Sequence, residues 1–222
     1  MTGYVVLAGA SRGTGREIAR LLRDRQQPVK ALLRSEAARA ELEGLGIKVA
    51  IADALEREAI TRAMAADPVR AVISTIGGLP QDGGSRADYV GNKHLIDGAV
   101  AVGASRFILV SSIGSGESAA ALPPPVLSAL GAVLQEKEQA EQYLRNSGLN
   151  YTIIRPGGLK SEPATGNGVL TENPRVSGSI HRADVAALVC DCLFSEAATG
   201  KILSAIDRQQ ASGETSFEIL RL

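Results

Sequence analysis

The stretch GASRGTG near the start of the chain carries three glycines, Gly9, Gly13 and Gly15, between an apolar run and a helix-like pattern. At this spacing the first glycine permits a tight turn, the second lets the backbone approach an anion, and the third lets the helix pack on the strand. The first-turn N–H groups of that helix, with the Ser11 and Thr14 hydroxyls, would face a phosphate. The stretch therefore predicts a pyrophosphate site for a dinucleotide, the alternative being a turn that serves packing alone.

Arginines stand where a site for NAD would place an acidic residue. The second apolar run ends in ALLRSEAAR, with Arg34 at the strand end and Arg39 one turn further on, and Arg12 lies inside the glycine turn. A guanidinium matches a 2'-phosphate bidentately and gains little from a ribose hydroxyl. The group favours NADP(H) over NAD(H). The alternative is that Arg34 and Arg39 are ordinary solvated charges.

The third apolar run ends in IADA, which contains Asp53 and Ala54. At this strand end the Asp53 carboxylate is placed to accept a hydrogen bond from an adenine amino group, with Ala54 beside it. We predict both as cofactor-binding residues. The alternative is that Asp53 caps the helix that follows.

Lys137 interrupts an apolar helix face. Val133, Lys137, Ala140 and Leu144 recur at helical spacing, so the lysine lies on the side that faces the core. Such a lysine needs a partner, and cofactor ribose hydroxyls at a cleft would supply one. We predict Lys137 as a cofactor-binding and catalytic residue. In the alternative its stem packs while the ammonium reaches water.

Short β-branched runs alternate with helical patterns, which is typical of successive βαβ units. Several of the runs are apolar throughout, as in parallel sheets covered on both faces. The fold class predicted is α/β, a doubly wound parallel sheet (Rossmann fold). The predicted strands are YVVLAG, PVKALLR, IKVAIAD, AVISTIG, RFILVSS, NYTIIRP and KILSAI. The predicted helices span residues 14–25, 36–44, 56–66, 87–102, 134–147 and 183–193.

Two irregular segments follow predicted strands. One, at about residues 114–133, contains three consecutive prolines, and the other, at about residues 157–180, is rich in Gly, Pro, Asn and Ser. Both emerge at strand carboxyl ends, where open α/β sheets bind ligands. They are predicted as substrate-pocket loops of a single domain spanning residues 1–222. His181 and Arg182 stand within reach of the pocket rim, the alternative being a pairing or surface role.

Composition narrows the possible partners. The 24 Lys and Arg residues equal the 24 Asp and Glu residues, so a strong positive field for nucleic acid or an anionic membrane is not expected. The sequence has no basic N-terminal region followed by an apolar region, as in a secretion signal, and no apolar stretch long enough to span a membrane. This pattern favours a cytoplasmic protein. Cys190 and Cys192 suit neither a disulfide framework nor a zinc site and are expected to be buried thiols, and no metal is predicted.

As a set, these motifs resemble the atypical short-chain dehydrogenases/reductases. The similarity is to the single-domain NAD(P)H-binding group that includes NmrA-like proteins and flavin reductase (biliverdin reductase B). It covers nearly the whole chain and depends on GASRGTG, LLRS, IADA, VISTIGG, GNKHLIDGAVAVGASRFILVSS, KEQAEQYLRNSGLNYTIIRPGGL and HRADVAALV in that order.

The resemblance implies roles for further positions. Ser111 and Ser112 resemble the serines beside the nicotinamide and substrate, Ser112 being the catalytic candidate, and Pro156 with Gly157 resembles the turn that holds the carboxamide. Val133 stands where tetrad-bearing relatives have the tyrosine of a Tyr-x-x-x-Lys pair. The segment that resembles the one beneath adenosine and ribose consists of Thr75, Ile76, Gly77 and Gly78.

These observations imply a reductase in which NADPH delivers hydride to a flavin, quinone or other conjugated small molecule. Ser112 would hydrogen-bond the acceptor while solvent or Lys137 assists proton balance. The alternatives are a non-catalytic NADP(H) sensor of NmrA-like type and an isomerase or dehydratase that uses bound cofactor. Tyr89 and Tyr143 are acid candidates by chemistry, although both fit packing roles. We expect a small-molecule substrate and a monomer or homodimer.

Overall fold

The computed structural model describes residues 3–78 and 85–222. All seven predicted strands are present within three residues of their expected ends. In chain order the strands of the described residues are β1 Tyr4–Ala8, β2 Val29–Leu33, β3 Lys48–Ile51, β4 Val69–Ser74, β5 Arg106–Val110, β6 Tyr151–Pro156, β7 Gly158–Lys160, β8 Gly168–Thr171, β9 Val176–His181, β10 Lys201–Asp207 and β11 Ala211–Gly213.

Helices alternate with the strands through most of the chain. In the described residues they are α1 Gly13–Asp24, α2 Arg39–Gly44, α3 Arg57–Ala65, α4 Val90–Ala101, α5 Pro124–Arg145 and α6 Arg182–Cys192. Short 3-10 turns cover Glu36–Ala38, Gly116–Ala121 and Glu196–Ala198. The doubly wound α/β class predicted from the alternation is confirmed.

The strands of the main sheet lie in the order β3-β2-β1-β4-β5-β6-β10-β8. Neighbours are parallel except for β8, which pairs antiparallel with β10. From β1 the chain builds outward to β3 and then returns to add β4 on the other side of β1. This reversal opens a crevice at the carboxyl ends of β1 and β4, which is the general ligand position of open α/β sheets.

Two apolar layers hold the sheet, one on each face. Along β1, Val5 and Leu7 point into the layer under α1 and α6, whereas Val6 and Ala8 point into the layer under α3, α4 and α5. This alternation follows from the two-residue period of a strand. Both faces of β1 are therefore packed against apolar side chains, which gives the turn after Ala8 a rigid base.

The structure corrects the predicted loop at residues 114–133. Its first part is the 3-10 turn, but α5 begins at Pro124, ten residues before the predicted helix start at Leu134. Proline is tolerated in the first turn of a helix because the N–H groups there have no intrahelical acceptor. The proline run therefore starts the helix instead of interrupting the chain. Val126 and Leu130 on this added part are exposed.

The predicted loop at residues 157–180 also contains regular structure. β7 and β9 pair in parallel, β11 pairs antiparallel with β9, and β8 extends the main sheet. The Gly and Pro content concealed these strands because each is only three to six residues long. The segment is thus a small sheet that stands beside the crevice.

Cys190 and Cys192 lie buried in α6, and burial raises the pKa of both thiols to about 12. They are therefore protonated and unreactive near neutral pH. Across residues 3–78 and 85–222, none of the helices combines the length and apolar character needed to cross a bilayer.

Candidate cofactor and substrate site

The glycine turn joins β1 to α1 with almost no free space around it. Gly9 has a φ of +92°, and a Cβ atom there would lie 2.3 Å from Oγ1 of Thr75. A Cβ on Gly15 would lie 2.1 Å from the carbonyl oxygen of Gly9. Thr75 also donates to the carbonyl of Ala8 at 3.2 Å, which ties the turn to the end of β4. Only glycines allow α1 to start this close to β1 and β4.

The outer side of the turn is shaped for an anion. Gly13, with a φ of +55°, opens α1, so the N–H groups of the first turn point outward along the positive end of the helix dipole. Within the described residues, the buried Oγ1 of Thr14 has no hydrogen-bond partner. Ser11 and Arg12 are exposed at the rim. These groups fit the phosphates of a dinucleotide.

The arginines near the turn do not share one role. Arg34 is exposed directly after β2, at the mouth of the crevice. Arg39 forms ion pairs with Glu36 at 2.7 Å and Glu43 at 3.4 Å along its own helical segment. Arg39 is therefore engaged by carboxylates of its own segment, whereas Arg34 directly follows β2 and Arg12 lies in the glycine turn, so these two stand at the carboxyl ends of β1 and β2.

Asp53 and Ala54 follow β3 at the far side of the crevice. Oδ1 of Asp53 accepts the N–H of Leu55 at 2.9 Å, so the carboxylate stabilises the turn before α3. The carbonyl of Ala54 contacts Nδ1 of His94 at 2.8 Å. Asp53 does not cap α3, whose N-cap residue is Glu56 with no side-chain cap bond, so the capping alternative is wrong and the carboxylate instead closes the turn before the helix.

An ion pair lies beside the segment after β4. Nζ of Lys137 on α5 contacts Oδ1 of Asp88 at 3.0 Å, and the Asp88 side chain is completely buried. Both carboxylate oxygens of Asp88 also accept the N–H of Gly78 at 3.0 Å. A Cβ on Gly77 would lie 2.2 Å from Oδ1 of Asp88. The inward-facing Lys137 thus has a protein partner that holds it against the Gly77–Gly78 turn.

Sequence reasoning did not select Asp88. It stands in ADYVGN just before α4, where an acidic residue usually stabilises a helix start. Its pairing with Lys137 depends on how α4 packs on α5, and no local pattern reports that packing. The remaining candidate in this region, Ile76, is partly buried and packs on the layer under α4.

The two serines after β5 face different surroundings. Ser111 is buried and donates its hydroxyl to Oε1 of Glu141 at 2.5 Å. Glu141 in turn forms a buried ion pair with Arg155, with Oε2 to Nη2 at 2.6 Å and Oε1 to Nε at 3.2 Å. Ser112 is half-buried and its hydroxyl donates to the carbonyl of Ile113 at 2.9 Å. Ser111 therefore supports the sheet, and Ser112 is the serine within reach of a ligand.

Pro156 and Gly157 end β6 at the same edge of the sheet. The carbonyl of Pro156 accepts the N–H of Ile113 at 2.9 Å, and the N–H of Gly157 donates to Ala205 at 3.0 Å. These bonds fix the turn between β5 and β10, so its backbone is preorganised.

A polar network braces the segment after this turn. The buried carboxylate of Asp184 accepts the N–H groups of Thr165 and Gly166, both at 2.9 Å. Thr165 also donates to Asp207 at 2.7 Å. Burial opposes ionisation of Asp207, but the hydrogen bonds that it accepts hold its pKa below its ordinary value. His181 lies buried between Glu162, at 3.6 Å, and Asp184, at 3.7 Å.

Tyr143 is not directed at the crevice. Its hydroxyl donates to Asp97 at 2.6 Å, and its ring packs edge-on against Tyr89. Lys93 completes the group with an ion pair to Asp97 at 2.8 Å. Burial opposes ionisation of Asp97, but hydrogen bonds from Lys93 and Tyr143 hold its pKa below the ordinary 3.8.

This pKa makes one contribution to stability pH-dependent. Because the pKa of Asp97 is lower in the folded state, its stabilising effect is complete above the unfolded value and is lost as pH falls through the folded value. We expect Asp97→Asn to be less stable than the unmutated protein at pH 7 and this difference to shrink below about pH 4. Urea unfolding measured across this range, with the exposed Asp24→Asn as control, tests it. A difference that does not change with pH would contradict the assignment.

Two cavities lie near these elements. One of about 230 Å³ lies between the 3-10 turn and α5, and its lining includes Gly114, Leu127, Leu134 and Glu138. Another of about 260 Å³ opens along β6 and β10 and is lined largely by charged side chains. The smaller cavity is the one next to Ser112 in the chain, so we assign it and not the larger one to the candidate site.

A family model for NAD(P)H-binding proteins matches residues 9–196, which include the glycine turn and most of the sheet. The chain belongs to the NAD(P)H-binding family of atypical short-chain dehydrogenases/reductases. The matched residues include the glycine turn and β4, which form the crevice at the carboxyl ends of β1 and β4.

Relatives in this family include reductases. The structure of ChuY, an anaerobillin reductase from Escherichia coli O157:H7, is 35% identical, covers 92% of this chain and 97% of its own, and superposes with a TM-score of 0.83. Sanguinarine reductase of Eschscholzia californica is 29% identical over 98% of this chain and 94% of its own length. A short-chain dehydrogenase/reductase of Veillonella parvula in complex with NADP, 17% identical with a TM-score of 0.78, covers 98% of this chain and 100% of its own and shares the fold.

Proposed function

We propose that this protein is an NADP(H)-dependent reductase of conjugated small molecules, similar to the flavin reductase group of its family. When bound, the reduced nicotinamide supplies a hydride. The chain's own residues bind and orient the reactants, and the Ser112 hydroxyl rotates away from the Ile113 carbonyl to donate a hydrogen bond to the acceptor. Lys137, held by Asp88, places a positive charge near the Gly77–Gly78 turn.

The observation that carries this proposal is that the residue one helical turn before Lys137 is not a tyrosine. Val133 occupies the position one turn before the lysine on α5, and the hydroxyl of Tyr143 is engaged by Asp97. Reduction of a simple ketone needs an acid that protonates the developing alkoxide. A conjugated acceptor delocalises the added charge instead and needs little help from a protein acid. Two relatives are named as reductases, of anaerobillin and of sanguinarine, which supports a reductase of small molecules.

We expect NADPH to bind about ten- to a hundredfold more tightly than NADH, because one charge-assisted hydrogen bond contributes about 1.5 to 3 kcal/mol. Arg34→Ala should remove most of this preference, whereas Arg39→Ala should retain it because Arg39 pairs with Glu36 and Glu43. Calorimetric titration of both cofactors against the three proteins tests this. Equal affinities for NADPH and NADH in the unmutated protein would contradict an NADP(H) site.

The proposed reaction is tested by steady-state oxidation of NADPH with two acceptor panels. Flavins, quinones and linear tetrapyrroles form one panel, and plain ketones form the other. We expect turnover with at least one conjugated acceptor and negligible rates with ketones. Ser112→Ala should lower conjugated-acceptor reduction only modestly, since binding geometry supplies most of the rate. Efficient ketone reduction that disappears in Tyr143→Phe would contradict the proposal, and tight NADPH binding without turnover would favour a sensor.

A further inference from the structure

Arg182, the first residue of α6, overhangs the glycine turn. Its Nε and Cδ atoms lie 3.4 and 3.5 Å from the point where a Cβ atom on Gly13 would stand. Apart from the chain neighbours of Gly13 and the backbone of its helix, no other described atom lies within 4 Å of that point. The side chain of Arg182 therefore borders the space in front of the first turn of α1.

The same guanidinium reaches the segment after the Pro156–Gly157 turn. Nη1 of Arg182 donates to Oγ of Ser161 at 2.7 Å and lies 3.4 Å from the carbonyl oxygen of Leu159 in β7. Arg182 is thus the side chain that connects the glycine turn with the β7 segment. The connection crosses the opening of the crevice.

In the part of the chain that the structure describes, no carboxylate neutralises the positive charge of Arg182. Within residues 3–78 and 85–222, no carboxylate forms an ion pair with it, and its Nε and Nη2 groups donate to no acceptor. The nearby Asp184 is occupied by Thr165 and Gly166, and Glu162 faces His181. A half-buried guanidinium with unused donors is suited to a phosphate, which it binds through two parallel N–H groups.

We propose that Arg182 binds the diphosphate bridge of the dinucleotide and, through Ser161, holds the β7 segment over it. This inference rests on the proposed cofactor site. It adds Arg182 to the residues that bind the cofactor and couples cofactor binding to the position of the β7 segment. The diphosphate is common to NADPH and NADH, so Arg182 contributes equally to both. Arg34, by contrast, would act at the 2'-phosphate and change their ratio.

Calorimetric titrations of NADPH, NADH and adenosine 2',5'-bisphosphate test the binding role, because the bisphosphate lacks the diphosphate bridge. In Arg182→Ala we expect about tenfold or greater loss of affinity for both dinucleotides and no change for the bisphosphate. Arg182→Lys should recover part of the lost affinity, since lysine keeps the positive charge but cannot donate two parallel N–H bonds as a guanidinium does. The exposed Arg175→Ala is the matched control and should bind as the unmutated protein does.

Three results would overturn the proposed diphosphate contact of Arg182. Unchanged dinucleotide affinities in Arg182→Ala would exclude a diphosphate contact while leaving the proposed function intact. An equal loss for the bisphosphate would place Arg182 at the adenosine end. If the unmutated protein binds neither dinucleotide, the proposed function fails and this inference fails with it.

Hydrogen exchange of residues 159–166 tests the coupling. We expect NADPH to slow exchange there in the unmutated protein and to slow it less in Ser161→Ala, with both proteins saturated with NADPH so that a difference in affinity does not enter. Equal protection of the segment in both saturated proteins would show that Arg182 does not hold it through Ser161.

Discussion

Lys137→Met is expected to lower the free energy of unfolding by about 3 to 5 kcal/mol, because it leaves a fully buried carboxylate without its cation. The Asp88 side chain has no exposed surface, and among the described residues its carboxylate otherwise accepts only the N–H of Gly78, while Arg86 interacts with it through charge without an ion-pair contact. Urea unfolding followed by circular dichroism measures the loss. A single replacement of Lys137 therefore changes folding as well as chemistry.

The double variant Asp88→Asn/Lys137→Met is the control for this prediction. It removes both charges and keeps an acceptor for Gly78, so it should recover most of the stability. Lys93→Met breaks the partly exposed pair with Asp97 and should cost about 1 kcal/mol or less. Equal losses for Lys93→Met and Lys137→Met would mean that Asp88 is solvated in solution. The double variant is also the better protein for measuring what Lys137 does in the reaction.

Gly15→Ala is expected to abolish dinucleotide binding and to lower the free energy of unfolding by about 1 to 3 kcal/mol, as overpacking does. Its Cβ would lie 2.1 Å from the Gly9 carbonyl oxygen and 2.7 Å from Oγ1 of Thr75, so α1 must move away from the sheet. That movement displaces the first-turn N–H groups that face the phosphates. Calorimetric titration and urea unfolding together measure both effects.

Gly13→Ala separates the two roles of the turn. Its Cβ would meet only the flexible Arg182 side chain, but at a φ of +55° an alanine costs about 1 to 2 kcal/mol. We expect a folded protein whose dinucleotide affinity falls at least a hundredfold, because the methyl group occupies phosphate space. Gly44→Ala at the exposed end of α2, where an added Cβ would meet no atom within 4 Å beyond its own helix backbone and chain neighbours, is the control and should be neutral or slightly stabilising. Retained dinucleotide binding in Gly13→Ala would show that the turn serves packing alone.

Local patterns in the sequence were sufficient for the fold class. The alternation of apolar runs and helical periods predicted the strands that form the parallel part of the main sheet. It also placed Lys137 on the inward face of its helix, where the structure has it. The errors fell where local signals conflict with packing. The three consecutive prolines predicted a loop, but α5 begins within them. The Gly-rich segment at residues 157–180 also predicted a loop, but it contains short strands.

What the tertiary structure decided is which polar groups meet. Asp88 and Lys137, Glu141 and Arg155, and Arg182 and Gly13 are brought together from separate elements. The sequence determined the periods that form each helix and strand, because those depend on neighbours a few residues away. It did not determine the partner of a buried charge, because that depends on how whole elements pack. Ser111 and Ser112 are adjacent in the chain, yet only the packed sheet turns one toward Glu141 and leaves the other within reach of a ligand.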